Sequence, residues 1–236
     1  MTFRAVIMAG GRGARLGTAA AGLPKAILPL GSGHVLGRLL DQIAAGGCSG
    51  FDLCLGFQAD DIIASIGTSW QGVPVRHWRE DSPLGTAGAL RRLLRAVADP
   101  WPADLLVANC DIVADLDLAD LVDRHRWHGQ GASVVTIPFV QSLRFGVVET
   151  QGDNQPVTAL REKPQVVHRL IAGLYLFRTA DLIRALGPGE GHLDMPELLA
   201  GFLGPAAAGI VNLDLAGDWI DVGLPEDYAR ARERFG

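Results

Sequence analysis

Up to about residue 130 the chain alternates short apolar runs with helical patterns, and this alternation restricts the fold more than any other feature. Phe3 to Ala9, Phe51 to Phe57, Val73 to Trp78 and Leu105 to Asn109 read as strands. Between and after them the spacing predicts helices near 34–46, 58–67, 85–98 and 117–128. Strand, helix, strand at this spacing needs crossover connections, which implies a mostly parallel central sheet flanked by helices, an α/β fold. The second half changes character. Ala132 to Val140, Phe145 to Thr150, Val157 to Arg161 and Leu170 to Phe177 follow one another without helices and read as antiparallel additions, before helices resume at 179–186, 195–203 and 225–234. No linker separates the halves, so a single domain over 1–236 is expected, with lobes of about 1–130 and 131–236.

Composition narrows the possible partners. The 236 residues are 48% hydrophobic, enough for one large buried core. No segment reaches the length of a membrane span and residues 1–11 lack a leader pattern, so no membrane partner and a cytoplasmic location are expected. A net charge of −5 without a Lys/Arg block argues against nucleic acid. Cys48, Cys54 and Cys110 lack CxxC spacing and read as buried, reduced thiols. His125 and His128 are expected on one exposed helix face, and Asp115 and Asp117 as turn and N-cap residues.

The first strand stops at Ala9-Gly10-Gly11-Arg12-Gly13. This is not the dinucleotide fingerprint, because Leu16 stands where its third glycine belongs. The Walker pattern also fails, since Leu23 and Pro24 follow Gly22 in place of Lys and Ser/Thr. Backbone N–H groups free of Cβ hindrance at a strand end suit a polyphosphate, with Arg12, Arg15 and Lys25 converging on the charge. The glycines alone are equally compatible with an ordinary turn. Among 21 basic residues only Lys25 and Lys163 are lysines, positions where a compact ammonium stands in place of the guanidinium fork.

Three further stretches carry chemistry. Glu80 precedes a helix opening at Gly85 and Thr86, whose small residues let a ligand approach the backbone. Asp111 ends a buried apolar strand, where a carboxylate needs a partner; beside a triphosphate Mg²⁺ is the obvious one, and a capping role is the alternative. Gly146 would let a ligand approach the backbone closely, Glu162 would accept from hydroxyl groups, and Lys163 would bind a phosphate.

Taken whole, GGxGxRL (Gly10 to Leu16) followed by PKxxxP (Pro24, Lys25, Pro29) resembles the signature of the sugar-1-phosphate nucleotidyltransferases, the mannose and heptose guanylyltransferases among them, and the likeness runs along nearly the whole chain. Ala14, Gly17 and Ala26 depart from the family's Thr, Pro and Pro, and Leu224 from its Thr, without removing a charge. The resemblance implies a Rossmann-like nucleotide-diphospho-sugar transferase fold with a nucleotide lobe and an antiparallel sugar-phosphate lobe. It implies NTP and sugar 1-phosphate as partners, Arg15 and Lys25 on the triphosphate, and Glu162-Lys163-Pro164 as the EKP motif at the acceptor. Asp111 is then a metal ligand, with Asp221 of the WxDIGTPEDY-like closing stretch as the second, and Gly173 lies against the sugar unless it marks a bulge. Glu80 ahead of PLGTAG points toward guanine, with uracil as the alternative base. A glycosyltransferase would need a DxD metal site where this chain has only a predicted helix cap, and a non-catalytic nucleotide-sugar-binding homologue would not need Arg15, Lys25, Asp111, Lys163 and Asp221 together. Oligomeric state is not legible. Asp194, before Met195-Pro196-Glu197, reads as a structural N-cap.

Overall fold

The computed structural model describes residues 3–11, 13–20, 22–80, 82–97 and 100–236. Its strands are β1 (Phe3–Ala9), β2 (Pro29–Leu30), β3 (Gly33–His34), β4 (Cys48–Leu55), β5 (Ser69–Trp70), β6 (Val73–Arg79), β7 (Asp104–Asn109), β8 (Ile112–Ala114), β9 (Ala132–Ser142), β10 (Val147–Thr150), β11 (Val157–Arg161), β12 (Gln165–Arg178), β13 (Ile210–Asp214) and β14 (Trp219–Asp221). The helices are α1 (Val35–Ala45), α2 (Ala59–Ile66), α3 (Thr86–Ala96), α4 (Leu118–His128), α5 (Thr179–Leu186), α6 (Met195–Ala200) and α7 (Pro225–Phe235), with 3-10 turns over Ala14–Ala20 and Lys25–Ile27.

Eight strands form the central sheet in the order β13-β9-β12-β7-β1-β4-β6-β5. β1 pairs in parallel with β4 and β7, β4 in parallel with β6, and β12 runs antiparallel to β7 and β9. The mostly parallel sheet and its antiparallel additions therefore follow the predicted pattern. Side chains alternate between two packed faces, as the pleat requires. Ala5, Ile7 and Ala9 of β1 pack with α1, α2 and α4, while Val6 and Met8 pack with α3, α5 and α6. All three cysteines are buried free thiols. Burial pushes Cys54 above the usual thiol range and Cys110 up to about 12, so neither is a thiolate at neutral pH.

A third, smaller cluster matters most for the site. Leu16, Leu28, Val113, Ile220, Val222 and Ala231 bury one another away from the two main faces, tying the 3-10 turns, the β8–β14 ladder and α7 together. Beyond the central sheet, β9 and β12 continue as a two-stranded ribbon through Gln165 and Ser142, and β10 and β11 form a separate hairpin.

Several expectations need correcting. His125 is only 1% exposed, with Nδ1 2.7 Å from Ser133 Oγ, because it extends the α4 stripe of Leu118, Leu121 and Val122; only His128 faces outward. The strand expected at 51–57 is shifted back, to Cys48–Leu55, and β12 starts five residues before the expected Leu170. The helix expected over 195–203 stops at Ala200 and the strand expected from Phe145 starts at Val147, since element ends carry the weakest periodicity. Asp117 is the N-cap of α4, accepting from Asp120 N at 3.0 Å, and Asp194 caps α6 in a capping box with Glu197.

Candidate active site

A cavity of about 570 Å³ opens beyond the carboxyl ends of β1, β4, β6 and β7. It is where a doubly wound sheet places ligands. From the predicted set, Gly10, Gly11, Lys25, Glu80, Gly85, Thr86 and Asp111 line it. Two backbones meet at its floor. A side chain at Gly56 would come within 2.7 Å of the Gly10 carbonyl oxygen, and one at Gly10 within 3.2 Å of Glu80 Oε1. Glycine at both positions lets β1 and β4 close under the ligand space and leaves Glu80 facing into it.

The charged end of the cavity is held by the third cluster. Lys25 starts a 3-10 turn whose next residues, Ala26 and Leu28, are buried, so its own side chain turns toward the glycine loop. There its Nζ would lie 3.7 Å from a Cβ at Gly11, its stem runs past Gly13, and its ammonium donates to Asp111. Asp111 follows β7 and is buried at 7% exposure. On the β8–β14 ladder Asp221 pairs with Ile112, and Val222 N–H donates to Asp111 O at 2.9 Å. Ile220 and Val222 point into the cluster, so the intervening Asp221 points out, beside Asp111. A Cβ on Gly223 would sit 3.5 Å from Asp221 Oδ1 and 3.7 Å from Arg15 Nη2, which places Arg15 at the same point.

Electrostatics follow from this crowding. Burial, then the Asp111 charge, push the Asp221 carboxyl up to about 6, only partly offset by Lys25 and Arg15. Burial alone would lower the Lys25 ammonium, but Cys110 where its thiol is ionised, Asp111 and Asp221 outweigh it and leave it raised, hence charged at neutral pH. Two mutually repelling carboxylates with hard oxygen donors, Asp111 lining the cavity and Asp221 beside it, are a donor set suited to a divalent cation that retains several waters. At the opposite end, burial raises the Glu80 carboxyl, while its Oε2 accepts from Leu84 N at 3.4 Å.

Two of the amides opening α3 are not free for a ligand. Ala87 N and Gly88 N donate to Leu193 O at 3.0 and 2.9 Å, and Thr86 Oγ1 accepts from Met195 N at 2.9 Å. Gly85 has φ +76°, and a Cβ there would lie 2.4 Å from Leu193 O, so the glycine is required by this loop docking as well as by the cavity it lines.

Other predicted residues fall elsewhere. Ala9 is packed in the core and does not line the cavity. Arg12 lies outside the described residues. Gly146, Glu162 and Lys163 cluster at the exposed open end of the β10–β11 hairpin, where a Cβ on Gly146 would be 3.1 Å from Glu162 Oε2 and Lys163 Nζ is 3.8 Å from Glu162 Oε1; none lines the cavity. Gly173, φ +74°, sits in the register shift of β12, where a Cβ would strike Ile112 and the Asn109 amide. It is a bulge that makes room for Asn109, itself a cavity residue. Gly56, Phe57, Asn109 and Asp194 line the cavity and were not singled out as ligand contacts. Gly56, Phe57 and Asn109 lie at strand carboxyl ends, the position that could have marked them.

A family model for nucleotidyl transferases matches residues 4–235. The chain belongs to the nucleotidyl transferase family. Over 232 residues it is 28% identical to the mannose-1-phosphate guanylyltransferase catalytic subunit beta of Drosophila pseudoobscura pseudoobscura, covering 95% of this chain and 60% of that protein. It is 27% identical to the mannose-1-phosphate guanyltransferase of Pichia angusta, covering 95% and 62%. The chain thus spans under two thirds of the length of these curated relatives. Among solved structures, HddC from Yersinia pseudotuberculosis superposes with a TM-score of 0.73 at 24% identity over 99% of this chain and 100% of that one. The same protein complexed with GMP-PN gives 0.75 at 23%, with the same coverage. These two share the fold. Among the described residues no helix is long and apolar enough to cross a membrane.

Proposed function

We propose that this nucleotidyl transferase moves a nucleotidyl group from a nucleoside triphosphate, GTP in preference, to a sugar 1-phosphate of mannose or heptose type, releasing pyrophosphate. The observation that carries this reading is the cavity lined by Lys25 and Asp111 at one end, with Asp221 and Arg15 beside them, and by Glu80 at the other. A polyphosphate fits the first end and a base the second. An oxygen of the sugar phosphate attacks the α-phosphorus, the bond from that phosphorus to the β-phosphate oxygen breaks, and pyrophosphate leaves with the electron pair. No protein nucleophile is required. Lys25 and Arg15 would neutralise the triphosphate, and Lys163, by its motif, the acceptor phosphate. Asp111 and Asp221 would hold Mg²⁺, which when bound supplies charge neutralisation at the phosphates.

Glu80 supports guanine. N1–H and the exocyclic amino group of guanine are adjacent donors that one carboxylate can accept together, whereas adenine lacks a donor at N1 and uracil flanks its single N–H with carbonyls. The relatives named for mannose-1-phosphate guanylyl transfer and the GMP-PN complex agree with this preference. The deciding experiment is a matrix of nucleoside triphosphates against sugar 1-phosphates, scored by pyrophosphate release. GTP with a mannose-type phosphate should score highest; faster turnover with UTP or dTTP across several sugars would replace the guanine assignment.

A further inference from the structure

Behind the nucleotide cavity, on the far side of the Leu84 loop, lies a second cavity of about 410 Å³. Its wall is built from Leu84, Gly88, Arg91, Arg92, Arg95 and Glu190. Three of its charged side chains, the adjacent Arg91 and Arg92 and, one turn on, Arg95, come from α3, so three guanidinium groups line one cavity in a chain whose net charge is −5. Arg91 is only 8% exposed. It donates to the carbonyls of Leu186 and Gly191, and Arg95 donates to Gly187 O at 2.6 Å. A guanidinium carries five N–H donors, so these bonds leave Arg91 and Arg95 with donors to spare.

Holding the end of α5 accounts for Arg91 and Arg95 in part, since cations favour a helix C-terminus. It does not account for a cavity of this size with a carboxylate on its rim. Like charges collected on one concave surface favour an anionic guest, and the planar fork of arginine matches phosphate oxygens in pairs. Glu190, exposed on the glycine-rich 187–191 stretch, adds an acceptor for hydroxyl groups.

The two cavities share their partition. Leu84 borders the second cavity, and its neighbours Pro83 and Gly85 border the first. The 187–194 segment is held to Arg91 and Arg95 at its start and to Leu84, Ala87 and Gly88 through Leu193, and it ends at Asp194 in the nucleotide cavity. Arg92 also acts on the Glu80 carboxylate, after burial and the Leu84 amide, in favour of its charged form. A guest on the arginines therefore touches the same loop and charges that shape the nucleotide cavity.

We propose that this arginine-lined cavity is a second ligand site, for a small phosphorylated polyol such as a sugar phosphate, coupled to the nucleotide cavity through the 187–194 segment. The binding half stands on this cavity alone, while the coupling half rests on the nucleotide reading above. Ribose 5-phosphate is a suitable probe, because its phosphate is not on the anomeric carbon and it is no acceptor for the proposed transfer. Calorimetry should show it binding the wild-type chain and Lys25→Ala alike, and about tenfold or more weaker binding to the exposed-site double variant R92Q/R95Q, whose thermal unfolding checks that it is folded. The probe should also shift wild-type GTP affinity by about fivefold or more, and leave that of R92Q/R95Q unmoved. No binding to wild type, or equal binding to R92Q/R95Q, overturns the site. Binding lost in Lys25→Ala places the probe in the nucleotide cavity and overturns it too, and probe binding that leaves GTP affinity unchanged overturns the coupling.

Discussion

Lys25 and Lys163, the two lysines, stand in opposite surroundings: one wedged against Asp111 beneath the glycine loop, the other exposed on a hairpin. If they serve different phosphates, Lys25→Ala should raise KM for the triphosphate and Lys163→Ala that for the sugar phosphate. Each effect should be about tenfold or more, the scale of one charge-assisted hydrogen bond, and steady-state kinetics with each substrate varied will show whether the effects separate. Asp221 carries a different signature. Its carboxyl is raised by burial and by Asp111, so ionising it works against folding: a cost absent below the ordinary carboxylate range and fully present above about 6. Asp221→Asn should therefore raise the metal-free Tm at neutral pH, with the gain fading as pH falls below about 6, while abolishing Mg²⁺-dependent turnover. Wild type should gain Tm on adding Mg²⁺ and the variant should not. Glu80 is likewise raised by burial, so guanine affinity should fall on acidification at a pH above the usual glutamate range. In Glu80→Gln, with one acceptor left, both the preference for GTP over UTP and that pH dependence should fade, as binding titrations across pH would show.

At the scale of elements, the opening of α3 makes the sharpest prediction. Gly85→Ala meets both a positive φ and the Leu193 carbonyl, so it should cost about 1–3 kcal/mol in urea unfolding and lower nucleotide affinity as Asp194 shifts. This segment also shows where sequence reading stops. The glycine loop, Lys25, Glu80 and Asp111 were legible because local pattern and strand-end position coincide. That Gly85 and Gly88 pack under the 187–194 segment was not, since the partner lies about a hundred residues away and has no periodicity. His125 was misplaced for a related reason: a polar residue continuing an apolar stripe looks like an exit from it until Ser133 supplies the partner. The short ladders, β8 with β14 and β2 with β3, run two or three residues and leave no alternation to read. Gly173 could have been contact or bulge, and only its Asn109 neighbour distinguishes them.

Across the whole molecule, stability and chemistry are supported by different groups. Asp52, fully buried in mid-sheet, accepts from Arg4, Arg76 and Trp78 and ties three strands together. Asp52→Asn removes the charge those donors share. It should lower unfolding free energy by about 3 kcal/mol, the low end for a buried pair because Arg4 and Arg76 reach water, yet leave kcat unchanged in the surviving folded fraction. The β8–β14 ladder has a converse property: it adds little to the sheet but brings Asp221, one of the last residues of the site to be made, against Asp111. During synthesis the glycine loop, Lys25 and Asp111 leave the ribosome long before their counterpart exists. A nascent chain that has completed β1, β4, β6 and β7 thus still lacks half of its carboxylate pair until β14 has left the ribosome.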